Sequence, residues 1–183
     1  MSLFDHSHKW LCAPKGSAFL YVRPECQALV EPLVVSWGWQ SEAPGPSRFV
    51  DEQEWTGTRD VAAYLATPAA IDFMETHQWG EVRAACHALA VETWQQITAL
   101  TGLPPWSSEA WFAQMFAAPL PPCDADALKR RLYDDFGVEV PIVVWMGRPL
   151  VRVSIQGYNT RADADRLVTA LAVLLPQAQR GTL

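Results

Sequence analysis

"VEVPIVVWMGRPLVRVSIQGYNTRADADRL", residues 138–167, decides the fold class. Two runs rich in β-branched residues, "VEVPIVVWM" and "PLVRVSIQ", meet across Gly147 and predict a pair of strands joined by a tight turn. Thr160 followed three residues later by Asp163 is a capping box, so a helix should begin there and end before Pro176. Along the second strand, Val151, Val153 and Ile155 fall on one face, while Leu150, Arg152, Ser154 and Gln156 fall on the other. Arg152 is thereby turned away from the most apolar face, toward a polar surface or a site.

Upstream, "AWFAQMFAAPL" (110–120) predicts a strand, and Asp124 is placed to cap a helix through Phe136 that stops at Gly137. The order strand, helix, strand, strand, helix implies a small α/β sandwich, open on one face and covered by helices on the other. Before it, "GEVRAACHALAVETWQQITALT" (80–101) spaces Val82, Cys86, Leu89, Thr93, Ile97 and Leu100 by three and four. Gly102 and Pro104-Pro105 follow, which predicts one long helix able to connect two layers or two domains.

The first third reads differently. After the turn Ala13-Pro14-Lys15-Gly16, Phe19–Val22 predicts a short buried strand ended by Arg23-Pro24. Residues 25–33 suit a short helix, and residues 34–55, with "SEAPGPS" at 41–47, read as an ordered loop containing at most one short strand. Thr58 is a candidate N-cap for "RDVAAYLATPAAIDFMETH", with Asp60 in the first turn; Pro68 should kink or break that helix, with Thr67 capping a fresh start.

Composition narrows the function classes. The chain has 183 residues, half of them apolar, 19% charged, with a net charge of -6 and no long run of like charge. That is enough for a core, and it offers no basic footprint for a nucleic acid. No stretch approaches the roughly 20 apolar residues of a membrane helix and no secretory pattern opens the chain, so a cytoplasmic protein without a membrane partner is expected. Cys12, Cys26, Cys86 and Cys123 form no CxxC pair and are expected to be reduced, mostly buried residues. His6 and His8 with Cys12 make only a weak metal-ligand pattern, and no metal is assigned. Nine tryptophans, among them Trp37, Trp39 and Trp55 in loop-like sequence, call for surfaces on which to bury, another chain's among them.

Three residue groups could carry chemistry. Lys9, between His8 and Trp10, would become a Schiff-base former if burial or nearby charge left its amine unprotonated, though an ordinary surface lysine fits the same residues. Arg152 could grip a carboxylate with two hydrogen bonds, or pair with Asp163 or Asp165 on the surface. Gly57-Thr58 before a helix could seat a phosphate, or simply cap. An amine, a phosphate seat and a carboxylate grip together suit an amino-acid enzyme using pyridoxal phosphate.

The resemblance to a known family rests on three segments in order: "HKWLCAPKGSAFLYV" (8–22), "EWTGTRDVAAYLATPAAIDF" (54–73) and the stretch quoted first (138–167). Together they resemble the C-terminal half of the class V aminotransferase family, in particular its isopenicillin-N-epimerase-like branch. The resemblance implies a partial type I pyridoxal-phosphate fold: residues 1–78 as a remnant of the large cofactor domain, and residues 79–183 as the connecting helix and small C-terminal α/β domain. It implies that Lys9 carries the cofactor and moves a proton, that His8 lies near the cofactor phosphate, that Gly57 and Thr58 reach the phosphate of a partner subunit's cofactor, and that Arg152 binds the substrate α-carboxylate. Epimerase, aminotransferase or lyase chemistry at an amino-acid α-carbon follows. Sulfur transfer is disfavoured, because residues 140–151 lack the reactive cysteine that desulfurases carry before the matching arginine. In the family the ring-stacking residue and the aspartate that pairs with the ring nitrogen precede the lysine segment. The chain is therefore expected to be truncated, inactive alone, and dependent on a homodimer or a separate N-terminal chain. A non-catalytic dimerisation or binding module derived from the family is the alternative.

Overall fold

A computed structural model describes residues 2–181, and side chains from residue 6 onward. The chain divides into two compact units, Met1–His77 and Gln78–Leu183.

In the first unit, β1 (Ser2–His6) and β2 (Ala18–Val22) form an antiparallel pair, with Ser2 opposite Val22 and His6 opposite Ala18. The loop between them is closed at its base, where the Ser7 N–H donates to the Ser17 carbonyl (3.2 Å) and the Ala13 N–H to that of Ser7 (3.0 Å). Ser7, Ala13 and Ser17 are buried, so this loop has a fixed base. The strand expected at 19–22 is present, but it is not buried: Phe19, Leu20 and Tyr21 are 45%, 42% and 56% exposed. A two-stranded sheet covers neither of its faces by itself, and apolar residues in it stay in water until something else packs there.

A 3-10 turn over Pro24–Leu29 replaces the expected 25–33 helix. The expected loop 34–55 contains a helix, α1 (Arg48–Glu54), in which the Ser47 hydroxyl accepts the Val50 N–H. Seven residues are too few to display a 3.6-residue pattern, and Glu52 is buried against the Arg48 guanidinium (2.7 Å) where an apolar residue would have marked the inner face. The helix expected from Thr58 is two helices, α2 (Ala62–Leu65) and α3 (Thr67–Thr76). Thr58 caps neither. The Asp60 carboxylate accepts the Ala62 N–H (2.8 Å), and α2 starts three residues late, at Ala62 rather than Arg59. Thr67 is the first residue of α3 rather than its cap; its hydroxyl donates to the Ala63 carbonyl (3.0 Å) and lies 3.3 Å from the Ser17 hydroxyl.

The second unit holds almost the whole core. α4 (Trp79–Thr101) ends at Gly102, whose φ of 64° is the left-handed cap a glycine takes without strain. β3 (Met115–Pro119) is shorter than expected, because Glu109–Trp111 forms a 3-10 turn. α5 (Ala125–Phe136) is capped by Asp124, whose carboxylate accepts from Asp126 N (3.0 Å) and Ala127 N (2.9 Å), and stops at Gly137. β4 (Ile142–Trp145) and β5 (Arg148–Ser154) form the expected hairpin, and α6 (Arg161–Gln179) closes the unit.

The sheet order is β3-β5-β4, antiparallel at both joints, so β3, α5 and β4 make a split βαβ unit with β5 inserted between its strands. Helices α4, α5 and α6 pack together and onto β3 and β4. Ile97, Phe116, Leu128, Leu132, Val151, Leu171 and Leu174 fill the space between the layers. Val151, Val153 and Ile155 are buried, and Arg152 and Ser154 are exposed, as the alternation predicted; Leu150, on the same face as these two, is nonetheless buried. α6 does not stop before Pro176 but runs through it. Ala172, whose carbonyl loses its helical donor there, is exposed, so water can take the donor's place.

Candidate functional site

The lysine loop is built by β1 and β2. Immediately after β1 the chain turns, with the Lys9 N–H donating to the His6 carbonyl (3.2 Å) and the Cys12 N–H to the Lys9 carbonyl (3.3 Å). Cys12 adopts a φ of 59°, which brings the chain round toward Ala13. The turn leaves the Lys9 side chain exposed. His8 beside it is half-buried, and its Nδ1 is buried without a hydrogen-bond partner. His6 and His8 lie with ring centroids 5.4 Å apart. Among the described residues no three metal-ligating side chains are gathered, His6, His8 and Cys12 included.

Gly57 sits in the bend before α2 with a φ of 120°, a conformation open essentially to glycine, and nothing lies within 4 Å of where a Cβ would stand. Its neighbour Thr58 is exposed. Because α2 has only four residues and begins at Ala62, Thr58 stands at no helix N-terminus and has no helix dipole to offer a phosphate; it lies in an open bend.

In the second unit, Arg152 stands on β5 opposite Ala117, exposed and without an ion pair among the described residues. The surface pair considered for it does not form. Asp163 is taken by the turn before α6, where its carboxylate accepts from the Thr160 N–H (2.8 Å) and hydroxyl (2.9 Å). Those two bonds hold its carboxyl below the ordinary range. Arg152 lines a cleft of about 290 Å³ with Ser154, Asn159, Asp163 and Arg166. Sequence reasoning missed Asn159, whose only sequence signal was its place in the short turn between β5 and α6.

The four cysteines are free thiols. Only Cys86 is buried; Cys26 and Cys123 are half-buried and Cys12 is exposed, so the expectation of mostly buried cysteines fails. Burial pushes the Cys86 thiol up, partly offset by a hydrogen bond with Gln114, and burial with the Asp124 charge pushes Cys123 up. Both are kept from the thiolate form that sulfur chemistry needs.

Pyridoxal phosphate requires an amine to bond its aldehyde and donors for its phosphate. An exposed Lys9 amine next to a buried, unpartnered His8 ring nitrogen fits those requirements on this chain. No helix among the described residues is long and apolar enough to cross a membrane.

Comparison with known proteins gives the family and the fold. Residues 3–167 match the family model described as aminotransferase class-V. The chain is 36% identical over 179 residues to isopenicillin N epimerase of Amycolatopsis lactamdurans, covering 91% of this chain and 45% of that enzyme. It is 30% identical over 188 residues to a probable chloroplastic L-cysteine desulfhydrase of Arabidopsis thaliana, covering 90% of this chain and 38% of the relative. The chain thus spans about half the length, or less, of the curated relatives it matches. Among solved structures, it resembles a cysteine desulfurase of Thermococcus onnurineus (TM-score 0.71, 19% identity, 96% of this chain and 47% of that one). It also resembles the lyase C-DES, solved with glycine covalently linked to its PLP cofactor (TM-score 0.64, 18% identity, 91% and 44%). The fold is accordingly a partial pyridoxal-phosphate type I fold, and pyridoxal phosphate is the cofactor the family implies. The chain belongs to the aminotransferase class-V family.

Proposed function

We propose that this chain carries the cofactor lysine and the carboxylate grip of a pyridoxal-phosphate-dependent enzyme acting at an amino-acid α-carbon, with epimerase-like chemistry. The observation that carries the reading is the exposed Lys9 side chain on a tied turn, beside the unpartnered Nδ1 of His8. When bound, the cofactor supplies a carbonyl for amine exchange and an electron sink for charge at the α-carbon.

The roles of this chain's residues follow from their chemistry. Lys9 would hold the cofactor through Nζ and, once displaced by substrate, hold or return a proton at that atom. His8 would donate from Nδ1 to a phosphate oxygen. The backbone at Gly57 and Thr58 would serve the phosphate in a partner subunit's site. Arg152 would orient the substrate α-carboxylate. Identity of 36% to an epimerase supports proton chemistry over sulfur transfer, as do the absence of a cysteine in residues 140–151 and the raised thiols of Cys86 and Cys123.

In this reading residues 1–78 belong to a large cofactor domain and residues 79–183 are the connecting helix and small domain. On the same reading the groups that stack on the cofactor ring and pair with its nitrogen lie outside these 183 residues. The alternative, a non-catalytic dimerisation or binding module of the same descent, is favoured by one observation: the apolar surface of the first unit, with Leu33 99% and Trp37 89% exposed. A titration of the purified chain with pyridoxal phosphate, followed by Schiff-base absorbance with Lys9→Ala as control, tests the proposal. Saturable absorbance lost in Lys9→Ala supports the cofactor role; absorbance that survives in the variant, or never saturates, removes it for this chain alone.

A further inference from the structure

The loop that carries Lys9 is tied by a pair of hydroxyls to the joint between α2 and α3. The Thr67 hydroxyl donates its one hydrogen to the Ala63 carbonyl (3.0 Å). Across the 3.3 Å to the Ser17 hydroxyl it can then only accept, so Ser17 is the donor. Ser17 is 4% exposed, and Gly16 before it runs so close to α2 that a Cβ there would stand 3.3 Å from that of Ala63. The N-cap of α3 is Ala66, which gives no side-chain bond, so the Thr67 hydroxyl serves the preceding helix and the lysine loop instead of its own helix start.

From Ser17 the tie continues through the main chain. The Ser17 carbonyl accepts the Ser7 N–H, and the Ser7 carbonyl accepts the Ala13 N–H. Lys9 lies within the segment these bonds close, on a turn bounded by its own backbone bonds to His6 and Cys12. Its side chain is exposed, and a flexible four-carbon stem places an amine only as well as the backbone beneath it is placed. The fixed point of that backbone is the Ser7–Ser17 base, and the hydroxyl pair sets that base against the α2–α3 joint.

We propose that Ser17 and Thr67 are positioning residues for Lys9: their hydrogen bond holds the lysine loop on the α2–α3 joint and so fixes where the amine meets an aldehyde. This rests on the reading of Lys9 as the cofactor lysine, and goes beyond it by naming two residues that act on the amine through the loop. Valine in place of Thr67 would keep the side-chain shape but leave the buried Ser17 hydroxyl without an acceptor. The loop base would then open to hydrate it, and the amine would lose its fixed position.

The test compares the full chain with Thr67→Val, Thr67→Ser and Ser17→Ala in two readouts. In hydrogen exchange, Thr67→Val and Ser17→Ala should speed the Ser7, Lys9 and Ala13 amides at least tenfold and leave the β1–β2 ladder unchanged, while Thr67→Ser keeps the original rates. In parallel, pyridoxal phosphate is added, its imine is reduced with borohydride, and label at Lys9 is measured by peptide mass spectrometry. Half-saturation should rise at least tenfold in Thr67→Val and return in Thr67→Ser. Equal acceleration along the whole ladder would make Thr67 a merely structural residue and overturn the proposal. Unchanged loop amides, or unchanged labelling in Thr67→Val, would overturn it as well and leave the Lys9 reading standing. No saturable label at Lys9 in the unaltered chain would remove the Lys9 reading alone, and the exchange rates would then decide whether the hydroxyl pair holds the loop.

Discussion

At the scale of single residues, polar side chains matter through the backbone groups they satisfy. Asp124 closes two N–H groups at the start of α5, and Asp124→Ala should lower stability by about 1 kcal/mol, with Asp124→Asn largely restoring it, in urea unfolding followed by circular dichroism. Asp163 closes the start of α6, and its carboxyl titrates lower when folded than when unfolded. Its contribution to stability is thus present above the ordinary carboxylate range and is lost as pH falls through the depressed folded value. Asp163→Asn should remove that part of the acid limb of a stability-against-pH curve, while an unchanged acid limb would show that the carboxylate carries none of it. At this scale the candidate site was legible where the chemistry is local: Lys9, His8 and Arg152 stand out by residue type and segment. Asn159 did not, because its place in the turn depends on a hydrogen bond to Gln156 that only the folded chain creates.

Elements were legible in proportion to the strength of their end signals. Gly102, Gly137, Asp124 and the Thr160–Asp163 pair each mark a boundary through two to four neighbouring residues, and all four boundaries hold. The failures share a cause: a boundary decided by something distant or solvent-borne. α6 passes Pro176 because the affected carbonyl faces water, and α1 hides because its buried residue is Glu52, an acid paired with Arg48. Thr58 lost its helix to Asp60, a nearer acceptor for Ala62. Within α6, Leu171 is fully buried in the core of the second unit, so Leu171→Ala should cost about 2–5 kcal/mol in the same urea experiment. A loss under 1 kcal/mol would mean that this layer is loosely packed.

Over the whole molecule, buried apolar residues are distributed very unevenly. Ala13 and Val22 are the buried hydrophobic residues of the first unit among those described, whereas the second holds more than twenty. Hydrogen exchange should therefore show slow amides in α4, β5 and α6 and fast ones across α1, α2 and α3. Equal protection in both halves would require an apolar partner for the first unit, such as a second copy. Sedimentation across concentration distinguishes that case, since self-association would raise the mass above the 20.4 kDa of one chain. The thiols add a practical consequence. Cys86 and Cys123 are held protonated, while Cys12 is exposed on the lysine turn. A maleimide dye should attach first at Cys12, so a single labelling step would install a fluorescent reporter three residues from Lys9 and register any molecule that arrives there.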